Sequence, residues 1–181
     1  TLGIGAGGTG FDATILGQAP WSPRERAERF AEFVELTDRL LRERETSFAG
    51  RYYSAHEARS HPGCVQQPRI PFAIAASGPR GMRLAVAYGE TWVTIGDRTR
   101  EGLPPAEGAR VVAAQVAQLE AACASAGRAP STLGRLVLTG AGLAAGLDSA
   151  EALRETLGRY AEVGVTDLVV HWPRASAPYA R

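Results

Sequence analysis

The fold is decided by residues 70–80, which read Ile70-Pro71-Phe72-Ala73-Ile74-Ala75-Ala76-Ser77-Gly78-Pro79-Arg80. A short apolar run that ends in small residues is typical of a buried strand, and a proline directly after a turn is typical of the first position of a helix. A strand that leads through a tight turn into a helix belongs to a βαβ unit. The stretch therefore predicts an α/β protein with a mainly parallel sheet.

The same order of a short apolar run and a helical segment recurs along the chain. Strands are predicted at residues 2–6, 71–76, 91–95, 133–139 and 166–172. Helices are predicted at residues 23–44, 79–88, 105–126 and 149–163. Residues 48–53 predict a hairpin around Gly50 that interrupts this alternation. No low-complexity tract or long linker divides the 181 residues, so we expect one domain over residues 1–181.

The first helix has a distinct start signal. Ser22, Pro23 and Glu25 supply an N-cap, a proline at the first helical position and the glutamate of a capping box. Spacings of three, four and seven predict an apolar stripe that packs on the sheet, made of Phe30, Phe33, Val34, Leu40 and Leu41. Arg and Glu alternate at three and four on the other face, so we expect them to pair along the helix and not to form a basic stripe for nucleic acid.

The composition excludes several kinds of site and partner. Twenty Lys and Arg against nineteen Asp and Glu give a net charge of +1, so we expect neither nucleic acid nor an anionic membrane as a partner. All twenty basic residues are arginine, which excludes Schiff-base and pyridoxal-phosphate lysines and the P-loop lysine. Asparagine is also absent, which excludes a Cys-His-Asn triad. The spacing of Cys64 and Cys123 matches neither a CxxC pair nor a zinc site and fits a reducing cytoplasm.

Residues 5–10, directly after the first predicted strand, match the GxGxxG pattern of dinucleotide-binding folds. That fingerprint requires a helix to begin at its third glycine, and an acidic residue to end a second strand about twenty residues later. Here Gly17, Pro20 and Pro23 delay the helix, and an amphipathic helix stands in place of the second strand. We therefore interpret the turn as backbone that approaches a flat ligand or a neighbouring loop closely, with a merely flexible turn as the alternative.

The turn after the second strand has the features of an anion site. Unpaired amides at a helix start, the hydroxyl of Ser77 and the guanidinium of Arg80 together suit a phosphate group. The alternative is that Ser77 simply caps the helix.

Four segments, in this order, resemble the luciferase-like flavin and deazaflavin oxidoreductases over nearly the whole chain. They are residues 2–7, 23–44, 70–80 and 84–92. The resemblance implies a (β/α)8 TIM barrel with an insertion between strands, in which the five predicted strands are barrel strands four to eight. Because five strands do not close a barrel of roughly 250 residues, we expect the parent protein to extend upstream of Thr1.

The resemblance also implies a function and a cofactor. Such enzymes move hydride between a bound deazaflavin (coenzyme F420) or FMN and a small organic substrate, and some are monooxygenases. The implied cofactor-binding residues are, along the ring system, Gly5, Ala6 and Gly7, and around the phosphate-bearing tail, Ala76, Ser77, Gly78 and Arg80. Arg98 and Arg100 lie on the same rim, where they either meet an anionic tail or are solvated.

The sequence departs from the family pattern at Gly8, where many relatives carry Glu or Trp. Asp12 is a candidate substitute, although a loop aspartate usually bonds its own backbone. His171 ends the last predicted strand and is either an acid/base group or a rim histidine. His56 and His61 lie in the insertion without metal spacing, so no metal site is predicted and the catalytic residues stay open.

Two hypotheses about function remain. The first is a cytoplasmic oxidoreductase that acts on a small-molecule substrate as a homo-oligomer, most simply a dimer. The second is a non-catalytic binding or assembly module, derived from the same barrel, that associates through open sheet edges.

Overall fold

The computed structural model describes residues 1–8, 14–15, 17, 19–97, 99–140 and 142–171. Five strands form a parallel sheet in the order β1, β4, β5, β6, β7, and two strands form an antiparallel hairpin. The strands are β1 (Leu2–Gly5), β2 (Thr46–Ala49), β3 (Ser54–Ala58), β4 (Phe72–Ala75), β5 (Thr91–Thr94), β6 (Gly134–Leu138) and β7 (Asp167–Val169). The helices are α1 (Pro23–Arg42), α2 (Pro79–Tyr88), α3 (Pro105–Ser125) and α4 (Ala150–Glu162).

The predicted α/β architecture with a parallel sheet is confirmed. Each predicted strand and helix of the alternation is present, with ends that differ by at most three residues within the described part. The start of α1 follows its capping signal, since the Ser22 hydroxyl accepts a hydrogen bond from the Glu25 amide at 3.2 Å. The last predicted strand was too long, because β7 ends at Val169, and Trp172 lies outside the described residues.

The two faces of the parallel sheet differ in the size of their side chains. Ile74 and Trp92 are paired in register and lie fully buried in the core that the sheet forms with the helices. On the opposite face the register aligns Gly5, Ala75 and Val93. Gly5 and Ala75 are exposed there, so the backbone itself forms much of this surface near the carboxyl ends of β1 and β4.

One residue of the predicted apolar stripe on α1 was wrongly assigned to the core. Phe30 and Val34 are buried, whereas Phe33 is 39% exposed. The Phe33 ring packs edge-on against Tyr53 of the hairpin, with 6.1 Å between centroids. The apolar face that α1 buries in the core is therefore narrower than the spacing of its apolar residues indicated. Phe33 lies beside that face and contacts the hairpin instead.

Arg69 joins the amino-terminal end of the sheet to two helices. Its side chain is 5% exposed, and its Nε donates to Asp38 of α1 at 2.6 Å. Its Nη2 donates to the carbonyl of Tyr88, the last residue of α2, at 2.6 Å. The guanidinium also stacks on the Phe72 ring at 3.5 Å. This buried cation satisfies charges and carbonyls from segments that are far apart in the sequence.

The hairpin is anchored on α1 by a single carboxylate. Glu32 accepts hydrogen bonds from the amides of Arg51, Tyr52 and Tyr53 at 3.1, 2.8 and 2.7 Å. A Cβ at Gly50 would overlap the Glu32 carboxylate, which explains the glycine in this turn. Desolvation opposes ionisation of Glu32, but the three amides outweigh it and lower its pKa below the usual 4.5.

None of the helices in the described residues combines the length and apolar character that crossing a bilayer requires.

We predict that Arg69→Met lowers the free energy of unfolding by about 3 kcal/mol, because it leaves the buried Asp38 carboxylate with only the longer, 3.4 Å contact from Arg42. Urea denaturation measures the loss. The matched control is Arg59→Met, which removes an exposed ion pair with Glu45 and should cost about 0–1 kcal/mol. Equal losses in the two variants would contradict the role assigned to Arg69.

We also predict that anchoring of the hairpin depends on pH. Because the pKa of Glu32 in the folded state lies below 4.5, its ionised form contributes stability that is fully present above that value and is lost as pH falls through the folded-state pKa. Glu32→Gln should therefore be less stable than the wild type at neutral pH, with a gap that narrows under acid. Urea midpoints from about pH 7 to about pH 3.5 test this, with Glu35→Gln on the same helix as control. A gap that is constant with pH would count against it.

Candidate functional site

A cavity of about 1300 Å³ opens at the carboxyl ends of β1, β4 and β5. The turns after β1 and β4 and the end of β5 form its floor, and the amino-terminal half of α1 and most of the length of α2 form its walls. In α/β folds, ligands bind at this end of a parallel sheet, where helix starts and loops converge. All seven predicted cofactor-binding residues line this one cavity: Gly5, Ala6, Gly7, Ala76, Ser77, Gly78 and Arg80.

The floor is shallow because the strands end in residues with little or no side chain. A Cβ at Gly5 would come 3.3 Å from the Cβ of Ala75 on the neighbouring strand. A Cβ at Gly81 would come 2.9 Å from the Cβ of Ala76, which is closer than real Cβ atoms pack. Gly81 therefore allows the first turn of α2 to lie directly on the end of β4. Gly7 turns the chain away from β1 with a φ of +76°, a conformation that favours glycine.

The start of α2 presents backbone amides without partners. Gly78 is the N-cap, and no side chain caps this helix. The alternative that Ser77 caps the helix is therefore wrong, and Ser77 is exposed. Within the described residues, no hydrogen bond is found for the amides of Gly78, Arg80 or Gly81. Free amides at the positive end of a helix dipole form an anion-binding arrangement.

Arg26 of α1 holds the glycine turn in place, a role that the sequence analysis missed. Its Nη1 donates to the carbonyls of Gly7 and Gly8 at 3.2 and 2.8 Å. Its Nε is buried and lacks a hydrogen-bond partner in the described part of the chain. The sequence contained a signal for this role. Arg24 and Arg29 each have a glutamate four positions away with which to pair, whereas Arg26 has no Asp or Glu three or four positions away.

Glu28 is the one acidic residue among the described residues that line the cavity. It accepts hydrogen bonds from Arg24 at 2.7 Å and from the Tyr52 hydroxyl at 2.7 Å. These bonds, the one from Arg24 first, lower the pKa of Glu28 below 4.5. The Glu28 carboxylate is therefore ionised at neutral pH and already hydrogen-bonded to Arg24 and Tyr52.

The loop after β5 is held from behind by α3. Thr94 Oγ1 donates to Gln115 Oε1 at 2.7 Å, and Gln115 Nε2 donates to the carbonyl of Gly96 at 3.1 Å, all within the buried layer. Arg100, predicted on the rim, forms an ion pair with Glu107 at 2.6 Å and does not line the cavity. Arg98 lies outside the described residues.

The remaining candidates that the structure describes do not line the cavity. Gly8 contributes the carbonyl that Arg26 holds, and Asp12 lies outside the described residues. His171 follows β7 with its ring against Gly140, where a Cβ would come 3.3 Å from Nε2. His56 and His61 are exposed in and after the hairpin. No group of three or more His, Cys, Asp or Glu is arranged for a metal ion in the described ranges.

Comparison with known proteins places the chain in a family. The family model described as luciferase-like monooxygenase matches residues 1–178. The chain is 32% identical over 112 residues to F420-dependent hydroxymycolic acid dehydrogenase of Mycobacterium tuberculosis, a match that covers 62% of this chain and 28% of that protein. It is 32% identical over 102 residues to F420-dependent glucose-6-phosphate dehydrogenase of Beutenbergia cavernae, covering 56% and 29%. Each match thus spans less than a third of the relative's length.

Two solved structures support the same fold. An F420-dependent secondary alcohol dehydrogenase superposes with a TM-score of 0.71 at 16% identity, over 93% of this chain and 62% of that one. EDTA monooxygenase from Chelativorans sp. BNC1 superposes with a TM-score of 0.55 at 17% identity, over 85% and 39%. The five parallel strands are consistent with part of a TIM barrel, as predicted. Since the family model matches nearly every residue, the chain belongs to the luciferase-like monooxygenase family.

Proposed function

We propose that this chain is part of an oxidoreductase that binds coenzyme F420 or FMN in the cavity and transfers hydride between that cofactor and a small organic substrate. The observation that carries the proposal is the set of free amides at the start of α2, directly beside a floor of glycine and alanine. The named relatives, three F420-dependent dehydrogenases and a monooxygenase, are consistent with it.

The start of α2 fits the phosphate of such a cofactor. The Ser77 hydroxyl and the amides of Gly78, Arg80 and Gly81 are donors without partners in the described residues. The Arg80 guanidinium follows in the first turn and adds a positive charge. Donors of this kind make short, strong hydrogen bonds to phosphate oxygens.

The floor fits a flat ring system. Gly5, Ala6 and Ala75 offer backbone and methyl groups, so a planar ring can lie close to the strand ends without meeting a long side chain. Val93 and Ile95, at the end of β5, extend this floor with apolar surface. An apolar floor excludes water from the face of the ring that lies on it.

The chain's own residues then serve to bind and orient. The deazaflavin or flavin, when bound, accepts or donates the hydride. Arg26 fixes the turn of Gly7 and Gly8, and α2 fixes the tail, so the ring is held at two points. Glu28 is engaged by Arg24 and Tyr52, and no histidine or cysteine lines the described part of the cavity, so no acid/base residue is assigned.

A binding or assembly module is the second candidate. Ile95 and Val169 are each 41% exposed, and β1 and β7 have one strand neighbour each in the described sheet. Exposed apolar residues and open strand edges favour association with another chain, including a homodimer. Size-exclusion chromatography with and without cofactor separates the candidates, because assembly without cofactor binding favours the second.

We predict that titration with F420 or FMN produces a saturable change in cofactor fluorescence, and that Ser77→Ala raises the Kd about tenfold or more, because it removes a hydrogen bond to a charged group. The matched control is Ser125→Ala at the exposed end of α3, which should leave the Kd unchanged. Absence of binding by both cofactors would remove the enzyme proposal. Equal Kd values for the two variants would remove the phosphate site.

A further inference from the structure

A closed set of buried hydrogen bonds joins the end of β5 to α3. The Thr94 hydroxyl donates to Gln115 Oε1 at 2.7 Å and accepts a hydrogen bond from the Gly96 amide at 3.0 Å. Gln115 Nε2 donates to the Gly96 carbonyl at 3.1 Å. Thr94 and Gln115 are both buried, so these bonds lie in the interior between the sheet and α3. They fix the residues directly before and after Ile95.

Ile95 itself faces the other side of the sheet. Side chains alternate along a strand, and Trp92 and Thr94 are buried on the side of the helices. Ile95 therefore projects from the opposite face, where it is 41% exposed and lines the cavity. The hydrogen bonds of Gln115 thus act on one face of β5, and the side chain that they position lies on the other face.

The loop after β6 packs against the same strand end from a second direction. A Cβ at Gly142 would come 2.7 Å from the Ile95 carbonyl oxygen, so this glycine allows the loop to lie directly on the backbone of Ile95. A Cβ at Gly96 would come 2.7 Å from the side chain of Leu143, which is fully buried. The backbone of Ile95 is therefore held by packing on one flank and by the bonds of Gln115 on another.

The polar character of this buried set calls for a reason beyond filling space. Apolar side chains of similar size would fill the volume of Thr94 and Gln115 without polar atoms that need partners. A fully bonded buried network, by contrast, fixes one arrangement of the chain. Here it satisfies both backbone groups of Gly96, whose φ of +80° turns the chain out of the strand. The network thus specifies where β5 ends and where Ile95 stands.

The position of Ile95 matters because the cavity floor changes height at β5. The neighbouring strands β1 and β4 contribute Gly5 and Ala75, which carry at most a methyl group. Strand β5 contributes the branched side chains of Val93 and Ile95. A flat ligand on the glycine and alanine part of the floor meets these side chains at its edge. Because β5 lies between β4 and β6, Ile95 is placed to stop such a ligand from sliding toward β6.

We propose that Gln115 is a positioning residue that acts through Ile95, and that Ile95 is the contact that fixes where a flat ring lies on the floor. Gln115 does not line the cavity, so it has no contact of its own with a ligand there. Its two hydrogen bonds hold the end of β5, and Ile95 carries that position into the cavity. The inference rests on the proposed function, since the ring is that of the proposed cofactor, and it adds a residue of α3 to the site.

A double-mutant cycle tests whether Gln115 and Ile95 act together. The full chain, Gln115→Met, Ile95→Ala and the combined variant are titrated with FMN and with F420, and cofactor fluorescence reports binding. Gln115→Met keeps the length of the side chain but removes both hydrogen bonds, so the Kd should rise about two- to tenfold, the usual effect of a lost hydrogen bond. In the Ile95→Ala background the same substitution should leave the Kd unchanged, because the contact that it positions is already absent.

The visible circular dichroism of the bound cofactor provides a second readout, since it depends on how the surroundings hold the ring. At saturating cofactor this band should weaken in Gln115→Met. Thr94→Val removes only the hydroxyl at the other end of the hydrogen bond and should weaken the band in the same way. Thr94→Ser retains the hydroxyl and should restore most of it. Thr94→Val also takes the place of Gln115→Met in the cycle if the latter fails to fold.

The matched control is Thr156→Val on α4. Thr156 is fully buried, its hydroxyl donates to the Ala152 carbonyl at 2.8 Å, and it does not line the cavity. Its substitution should lower the urea midpoint, as that of Gln115 does, but should leave both the Kd and the dichroism unchanged.

The outcomes separate the two proposals. If Gln115→Met raises the Kd equally with and without Ile95, or changes neither the Kd nor the band, the role of Gln115 is refuted while cofactor binding stands. If Thr156→Val weakens binding as much as Gln115→Met, the effect is one of stability and that role is also refuted. If neither FMN nor F420 binds the wild type, the proposed function fails, and this inference fails with it.

Discussion

The cavity depends on the absence of side chains where two neighbouring strands end. Gly5 lies beside Ala75, where a larger residue would crowd its neighbour, and Gly81 lies against Ala76, where a larger residue would clash. This contact lets α2 begin directly at the end of β4, so its first amides face the cavity and not a layer of side chains. Larger residues here would fill the floor and also push the helix start away from it.

The arginines of the molecule differ in the groups that they contact. Most arginines whose partners are known lie opposite a carboxylate, either along one helix or, for Arg69, across three segments in the interior. Three of the four arginines that line the cavity break that pattern, in two ways. Arg26 donates to carbonyls and so stabilises a turn, whereas Arg80 and Arg83 have no partner in the described chain. The same residue type thus stabilises the fold where its guanidinium bonds a carboxylate or a carbonyl, and at the cavity it leaves positive charge without a partner among the described residues.

Sequence reasoning predicted the features that are set locally. The starts of α1 and α2 follow from Ser22, Pro23 and Pro79, whose effects act within one turn. The strands follow from apolar runs. Contacts between distant segments were not predictable in this way: Arg69 and Asp38 are 31 positions apart, and Arg26 lies 19 positions from Gly7. Phe33 was misassigned for the same reason, since the hairpin that covers its flank is specified elsewhere in the sequence.

The hairpin, which interrupts the alternation of strands and helices, does not line the cavity but supports α1, the helix that forms one of its walls. Glu32 binds its three consecutive amides, and Glu28, one turn earlier on α1, binds the Tyr52 hydroxyl. Glu28 also holds Arg24 at the cavity, so the hairpin and the cavity share one carboxylate. Arg29 adds to the joint, because its guanidinium lies between the rings of Trp21 and Tyr52 at 4.2 and 4.4 Å. These contacts converge on the first three turns of α1, the segment from which Arg26 positions the glycine turn. The insertion therefore stabilises the helix that shapes the floor of the site.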